Sequence, residues 1–326
     1  MTGTMPHTPL VSVILPTFNR LQFLPSAVDS VFSQTFEDWE LIVADDGSDE
    51  EETRAYLSTL EKRPRVKVIW LPRMGNPGAV RNVALREAQG KYIAFLDSDD
   101  LWLPPKLEVQ LAALSAVADR QWGYTDFILV DEAGNSINAR RNPNRVLYEG
   151  RIVEQLLQLR AGIAMPTVMA RRELLERAGG FDEQQGLHED YEMWLRLALL
   201  CEVGLVTQPL ACVRRHEEHF SSGGIRNLQA RSRVFEKMKT LMKDSHQLSV
   251  LRIERARNDA ALAVANAAAG KGGAVWRTLA RSWRYSWRSA SWYLGCAKAM
   301  AHLLLPVWLV TIVRQYRAPT PAALRK

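Results

Sequence analysis

Between Val11 and Leu96 the chain alternates strand-like and helix-like stretches, and few folds accommodate that rhythm. Val11–Leu15 (VSVIL), Trp39–Ala44 (WELIVA), Val66–Trp70 (VKVIW) and Tyr92–Leu96 (YIAFL) are short apolar runs rich in β-branched and aromatic residues. Such runs, bounded by turn residues, are buried strands. Between them lie Leu21–Phe32, with Leu21, Leu24, Val28, Val31 and Phe32 at helical spacing, then Asp49–Leu60 and Ala79–Ala88, the last stopped by Gly90. Strand and helix in alternation, joined by short loops, give a mostly parallel central sheet with right-handed crossovers and flanking helices. The expected class is α/β.

The fourth strand runs straight into Asp97, Ser98, Asp99 and Asp100. Three carboxylates in four residues repel one another unless a cation lies between them. Mg²⁺ or Mn²⁺ takes oxygen ligands and bridges carboxylates to substrate phosphates. The carboxyl end of a strand is also where open α/β sheets bind ligands. The same acids suit a helix N-terminus, because Pro104 and Pro105 open the helix 106–118. A second strand also ends in acids, Asp45-Asp46-Gly47-Ser48, which reads as a turn and helix cap or as acceptors for a nucleobase N–H and a ribose hydroxyl. No G-x-G-x-x-G follows the first strand, so a dinucleotide-binding domain is not expected.

After Trp102 the alternation weakens. Gln121–Val130 is a strand that turns at 131–135, and 138–144 is a polar, basic loop facing either solvent or a polyanionic or sugar ligand. Gly150–Leu159 reads as a short helix and Pro166–Ala170 as a strand. Glu189 and Asp190 fall in the first turn of a helix continued by Trp194, Leu195 and Leu197, where the macrodipole favours acids. A carboxylate so placed either caps the helix or serves as a general base. Val203–Leu205 and Leu210–Val213 read as two strands leading to His216, a metal ligand, a diphosphate contact or a surface histidine.

Several pieces in fixed order resemble one family: VSVILPTFNR at 11–20, Asp45 to Ser48, GNPGAVRN at 75–82, FLDSDDLW at 95–102, Gly180-Phe181-Asp182 and HEDYEMWLRL at 188–197. Over residues 8–222 the chain resembles the family 2 glycosyltransferases of the GT-A fold. The resemblance implies that Pro16, Thr17 and Asn19 line a nucleotide pocket, with Asp46 reading the base and Asp45 beside it. It implies that Arg81 and Asn82 lie near base or phosphates, and that Asp97 and Asp99 form the metal-binding D-x-D, with Asp97 nearer ribose and sugar. Asp190 would be the catalytic base, and His216 a further metal or diphosphate contact. Pro77 and Val80 depart from the family's usual small and polar run. No Q-x-x-R-W follows His216, so one sugar per encounter is expected rather than processive synthesis. The implied reaction is inverting, metal-dependent transfer from a nucleotide-diphosphate sugar, by family habit a UDP-sugar, to a glycan or lipid-linked acceptor in cell-surface polysaccharide assembly. A nucleotidyltransferase would carry a glycine-rich basic loop where PTFNR stands, and the intact acids argue against an inactive scaffold.

Beyond Gly224 the strand-like runs cease, which divides the chain into a region 8–224 and a helical extension 225–326. The net charge is +6, yet the residues from Ala260 onward hold ten basic side chains and no acid, so everything before is net acidic. Trp276, Leu279, Trp283 and Trp287 share one helical stripe, while Arg277, Arg281, Arg284 and Arg288 share another, roughly 110° away at about 100° per residue. Tryptophan favours the bilayer interface and arginine reaches lipid phosphates, so a helix in the headgroup plane of an anionic membrane is expected rather than a nucleic-acid partner. The stretch 293–313 contains Lys298, His302 and Pro306, which favours a monotopic or re-entrant segment over a single span. Three scattered cysteines and an N-terminus without signal-peptide character point to the cytoplasmic face of the inner membrane. The sequence leaves an oligomer open.

Overall fold

The computed structural model describes residues 8–117, 119–137, 146–215, 224–286 and 289–304. It divides into two compact units, Met1–Phe220 and Ser221–Lys326. The expected positions His216, Trp287, Arg288, Pro306 and the loop 138–144 lie outside the described residues.

The first unit is a mixed sheet with helices packed on it. Its strands are β1 (Val11–Thr17), β2 (Trp39–Asp45), β3 (Val66–Trp70), β4 (Tyr92–Phe95), β5 (Leu101–Trp102), β6 (Trp122–Val130), β7 (Val168–Arg171) and β8 (Val203–Arg214). Its helices are α1 (Leu24–Phe32), α2 (Glu51–Leu60), α3 (Pro77–Glu87), α4 (Lys106–Ser115), α5 (Val153–Leu157), α6 (Arg172–Arg177) and α7 (Glu189–Leu200). The strand order is β3-β2-β1-β4-β7-β6-β8-β5. Parallel pairing holds from β3 through β4, with Val11 opposite Trp39, Thr17 opposite Asp45 and Ile14 opposite Phe95. That register delivers the ends of β1, β2 and β4 to one edge, which carries the two acidic turns.

Beyond β4 the direction reverses: β7 is antiparallel to β4 and β6, while β8 runs parallel to β6 and antiparallel to β5. The sequence suggests two strands at 203–205 and 210–213, but the structure has one. Pro209 lacks an N–H for the ladder and would normally end a strand. Here it sits opposite Asp126 at a bulge in β8 itself, where the extra residues of β8 accommodate it and pairing with β6 resumes at Ala211.

Alternation along β1 explains the core. Val11, Val13 and Leu15 join Leu24, Val28 and Val31 of α1, Leu57 and Leu60 of α2 and Leu107, Leu111 and Leu114 of α4 in one cluster. On β4, Phe95 meets Phe181 edge-on at 5.5 Å and Trp194 of α7 at 6.2 Å, and Trp194 stacks on Trp122 at 5.9 Å. These rings fasten α7, whose first turn holds Glu189 and Asp190, to the sheet.

The second unit is built on α9 (Ser245–Ala268), which is packed by α8 (Ile225–Leu241), α10 (Gly272–Ser286) and α11 (Ala290–Leu304). Ala256, Ala260, Ala263 and Ala267 line a seam that receives Val275, Leu279, Trp292 and Ala299. Gly295 comes so close that a Cβ there would lie 2.4 Å from the Ala260 Cβ. Asp259, fully buried, accepts hydrogen bonds from Ser232, Arg281 and Tyr285. The buried face of α10 is Val275, Thr278, Leu279, Ser282 and Ser286. Its tryptophans face outward instead: Trp276 is 57% and Trp283 54% exposed, on the side that carries Arg277, Arg281 and Arg284. Among the described residues no helix is long and apolar enough to cross a membrane.

Gly90 tests the register. A Cβ there would lie 2.4 Å from the Ser12 backbone N, and the Gly90 N–H donates to Ser12 Oγ at 2.8 Å. Gly90→Ala should destabilise the first unit by about 1–3 kcal/mol, read by urea denaturation followed by circular dichroism.

Candidate functional site

The site begins where β1, β2 and β3 release their chains. The Asp46 N–H donates to the Thr17 carbonyl, and the Leu71 N–H to the Asp45 carbonyl. Asn19, with a left-handed backbone (φ 45°), ties this corner. Its N–H donates to Ser48 Oγ, its Nδ2 to Asp49, and its Oδ1 accepts from the N–H groups of Asp49 and Glu50 at the entry to α2. Asp45 is buried and accepts from the Ser48 N–H and hydroxyl. Asp46 accepts from the Met74 and Gly75 N–H groups and pairs with Arg73. The guanidinium of Arg73 lies 3.5 Å from the centre of the Phe18 ring. Pro16 lies within β1, opposite Ala44, and Thr17 is buried with its Oγ1 lacking a hydrogen-bond partner. An orphan hydroxyl of this kind usually marks a missing ligand or water.

The second half is held by one arginine. Arg81, on α3 and buried, donates to Asp97 at 2.6 Å and to Glu189 at 3.0 Å. It therefore bridges the acidic turn after β4 to the first turn of α7, two segments far apart in sequence. Burial and the neighbouring Asp99 raise the Asp97 carboxyl, while Arg81 opposes them. Asp100 is buried and pushed well above the ordinary carboxylate range by burial and by Asp99 and Asp97. It accepts from the Arg214 N–H, and the Arg214 side chain donates to the carbonyls of Asp99, Asp131 and Glu132. Asp190 follows His188, whose backbone is left-handed (φ 65°), and accepts from the Tyr191 N–H. Burial and the adjacent Glu189 raise its carboxyl from 3.8 to about 7.

Asn82 departs from a simple pocket-lining position. Its amide accepts from the Phe181 N–H and donates to the Phe181 carbonyl and to Glu183. It braces the Gly179-Gly180 turn beneath α7. Sequence reasoning missed this brace, the Arg81–Glu189 pair, Arg73 on Phe18 and the Arg214 knot. All four join segments whose proximity only the fold creates.

Asp97, Asp99 and the first turn of α7 thus gather at one place, and Asp46 belongs to the same sheet edge. Among the described residues no group of three or more metal-ligating side chains forms. Asp97 and Asp99, two mutually repelling hard-oxygen donors, nonetheless fit a divalent cation that completes its shell with phosphate and water oxygens. They would be the residues that hold it.

Comparison with known proteins gives this geometry a context. Residues 12–177 match the description Glycosyl transferase family 2. The UDP-Glc:alpha-D-GlcNAc-diphosphoundecaprenol beta-1,3-glucosyltransferase WfgD of Escherichia coli is 32% identical over 189 residues, covering 58% of this chain and 69% of that protein. The chain spans about a third of the length of the Rickettsia relatives it matches at 32–33% identity. Among solved structures, residues 1–349 of TarS from S. aureus, in complex with UDP-GlcNAc, share the fold with a TM-score of 0.68 at 20% identity, covering 94% of this chain and 91% of that one. The mannosyltransferase PcManGT from Pyrobaculum calidifontis, in complex with GDP-Man and Mn²⁺, does so with a TM-score of 0.56 at 20% identity, covering 94% and 84%.

Asp190 yields a prediction with a definite sign. Its folded-state carboxyl titrates above its unfolded value, so its contribution is full below about pH 4 and is lost as pH rises through about 7. Asp190→Asn removes that loss. In metal-free buffer the variant should melt above the native protein near pH 8, with the two melting temperatures converging near pH 4, as read by calorimetry.

Proposed function

The chain belongs to glycosyl transferase family 2, and on that footing we propose an inverting glycosyltransferase that moves a sugar from a nucleotide-diphosphate donor to an acceptor hydroxyl. The observation that carries this reading is the Arg81 bridge, which ties the Asp97 turn to the helix that presents Asp190. Donor-side and acceptor-side carboxylates therefore share one rigid frame, and pre-positioning of this kind lowers the barrier to bimolecular transfer.

The proposed chemistry is a single displacement. The Asp190 carboxylate takes the proton from the acceptor hydroxyl. A carboxyl at about 7 suits it to work as a base near neutral pH. The acceptor oxygen forms a bond to the anomeric carbon as the bond to the diphosphate oxygen breaks, and the configuration inverts. Glu189 is held by Arg81, so Asp190 is the acid of the pair offered as base. Mn²⁺ or Mg²⁺ held by Asp97 and Asp99 would neutralise charge on the departing diphosphate. Thr17, with its orphan hydroxyl, and Pro16, Asn19, Asp45 and Asp46 form the nucleotide side. Arg81 and Asn82 support the diphosphate side through the carboxylates and turn they hold.

The donor proposed is a UDP-sugar, and the acceptor a glycan or lipid-linked hydroxyl in cell-surface polysaccharide assembly. WfgD acts on a diphosphoundecaprenol substrate, which supports an acceptor held at a membrane. The outward Trp276 and Trp283, beside Arg277, Arg281 and Arg284, support docking on the anionic cytoplasmic face.

Two measurements test these readings. Asp190→Asn should lower kcat by about 10²–10⁴-fold while UDP affinity, measured by calorimetry with Mn²⁺, stays within about twofold; Asp99→Asn should instead remove the Mn²⁺ dependence of UDP binding. Equal loss of transfer and binding in Asp190→Asn removes it from the base role. Separately, the Trp276→Ala, Trp283→Ala double variant should no longer sediment with vesicles containing phosphatidylglycerol at low salt, while the native protein does.

A further inference from the structure

Arg73 lies at the β1–β2 corner read above as the nucleotide side. Its guanidinium is planar, lies 3.5 Å from the centre of the Phe18 ring and donates to the Asp46 carboxylate. A nucleobase with a ring N–H offers the same three features: a flat face, a stacking surface and a donor aimed at an acceptor. Asp46 is otherwise committed. It also accepts from the Met74 and Gly75 N–H groups at 2.6 and 3.0 Å. Of the about four acceptor positions of a carboxylate, Arg73 and these two N–H groups fill three, and the last two donors are main chain. The loop 73–75 packs closely on Gly47, where a Cβ would lie 2.6 Å from the Arg73 N. The Arg73 side chain is the one donor on Asp46 that can leave by simple rotation. It is 50% exposed, whereas the Asp46 side chain is 8% exposed.

We propose that Arg73 is an internal occupant of the nucleobase position, held on Phe18 and Asp46 in the free protein and displaced when a base with a ring N–H enters. The proposal rests on the reading of the β1–β2 corner as the nucleotide side. Arg73 becomes a specificity-determining residue: every base competes with it, and only one that both stacks and donates recovers what its departure removes. Uracil, thymine and guanine carry such an N–H. A ribose phosphate without a base has nothing to gain from the displacement.

The experiment compares the native protein with Arg73→Ala and Arg73→Gln by calorimetry, using UMP and ribose 5-phosphate without metal. A half-exposed ion pair and one cation–π contact are modest, so Arg73→Ala should bind UMP roughly three- to tenfold more tightly. Arg73→Gln, which keeps a donor but no charge, should fall between. Ribose 5-phosphate should bind all three proteins alike. UMP affinity unchanged or weaker in Arg73→Ala, with native binding intact, overturns the proposal and leaves the nucleotide side standing. An equal gain for ribose 5-phosphate also overturns it, since the effect would then belong to the phosphate. Failure of the native protein to bind UMP, or UDP with Mn²⁺, overturns both readings.

Discussion

The arrangement depends on the Arg81 guanidinium between Asp97 and Glu189. A buried cation between two carboxylates is stable only while both partners remain, because removing one leaves charge without compensation in a poorly hydrated place. The pair fixes distance as well as charge. Asp97 leaves the end of β4 and Glu189 opens α7, so the arginine from α3 sets how far the acidic turn stands from Asp190. The same arginine opposes the burial and the mutual repulsion that raise Asp97. The acidic turn and the first turn of α7 are thereby held at a fixed spacing.

Much of the first unit was legible because its signals are local. VSVIL, WELIVA, VKVIW and YIAFL each declare a strand by composition, while α3 ends at Glu87 with an extended Ala88 cap, ahead of the Gly90 expected to stop it. The ends of those strands follow from parallel register alone, so the shared edge for Asp45-Asp46 and Asp97 could be read before the structure. What could not be read is non-local. Pro209 divides the sequence pattern of β8, but a bulge in β8 opposite Asp126 absorbs it and pairing with β6 resumes. The reversal at β7 depends on pairing with β4 across a long separation.

The individual side chains teach a related lesson. Asn19, Asn82, Asp45 and Asp46 stand where sequence motifs suggest ligand contacts, yet each is engaged with main chain or neighbours within the protein. They hold loops in place, and a ligand must meet loops already held. Motifs identify positions under constraint without separating a residue that touches substrate from one that braces the loop beside it. In the second unit the tryptophan stripe was visible by spacing, but which face would turn outward was set by the alanine seam of α9, whose small side chains select Val275 and Leu279 as partners.

The Arg214 knot carries a temporal consequence. Its bonds to Asp100, Asp99 and Asp131 span 114, 115 and 83 residues of chain. Contacts of such separation form late, after the intervening loop entropy has been overcome. A growing chain leaves the ribosome N-terminus first, so β1 to β4 can assemble while β8 is still unmade. The acidic turn therefore acquires its anchor only near the end of domain synthesis, and a nascent or truncated chain lacking β8 carries the acids without the frame that aims them.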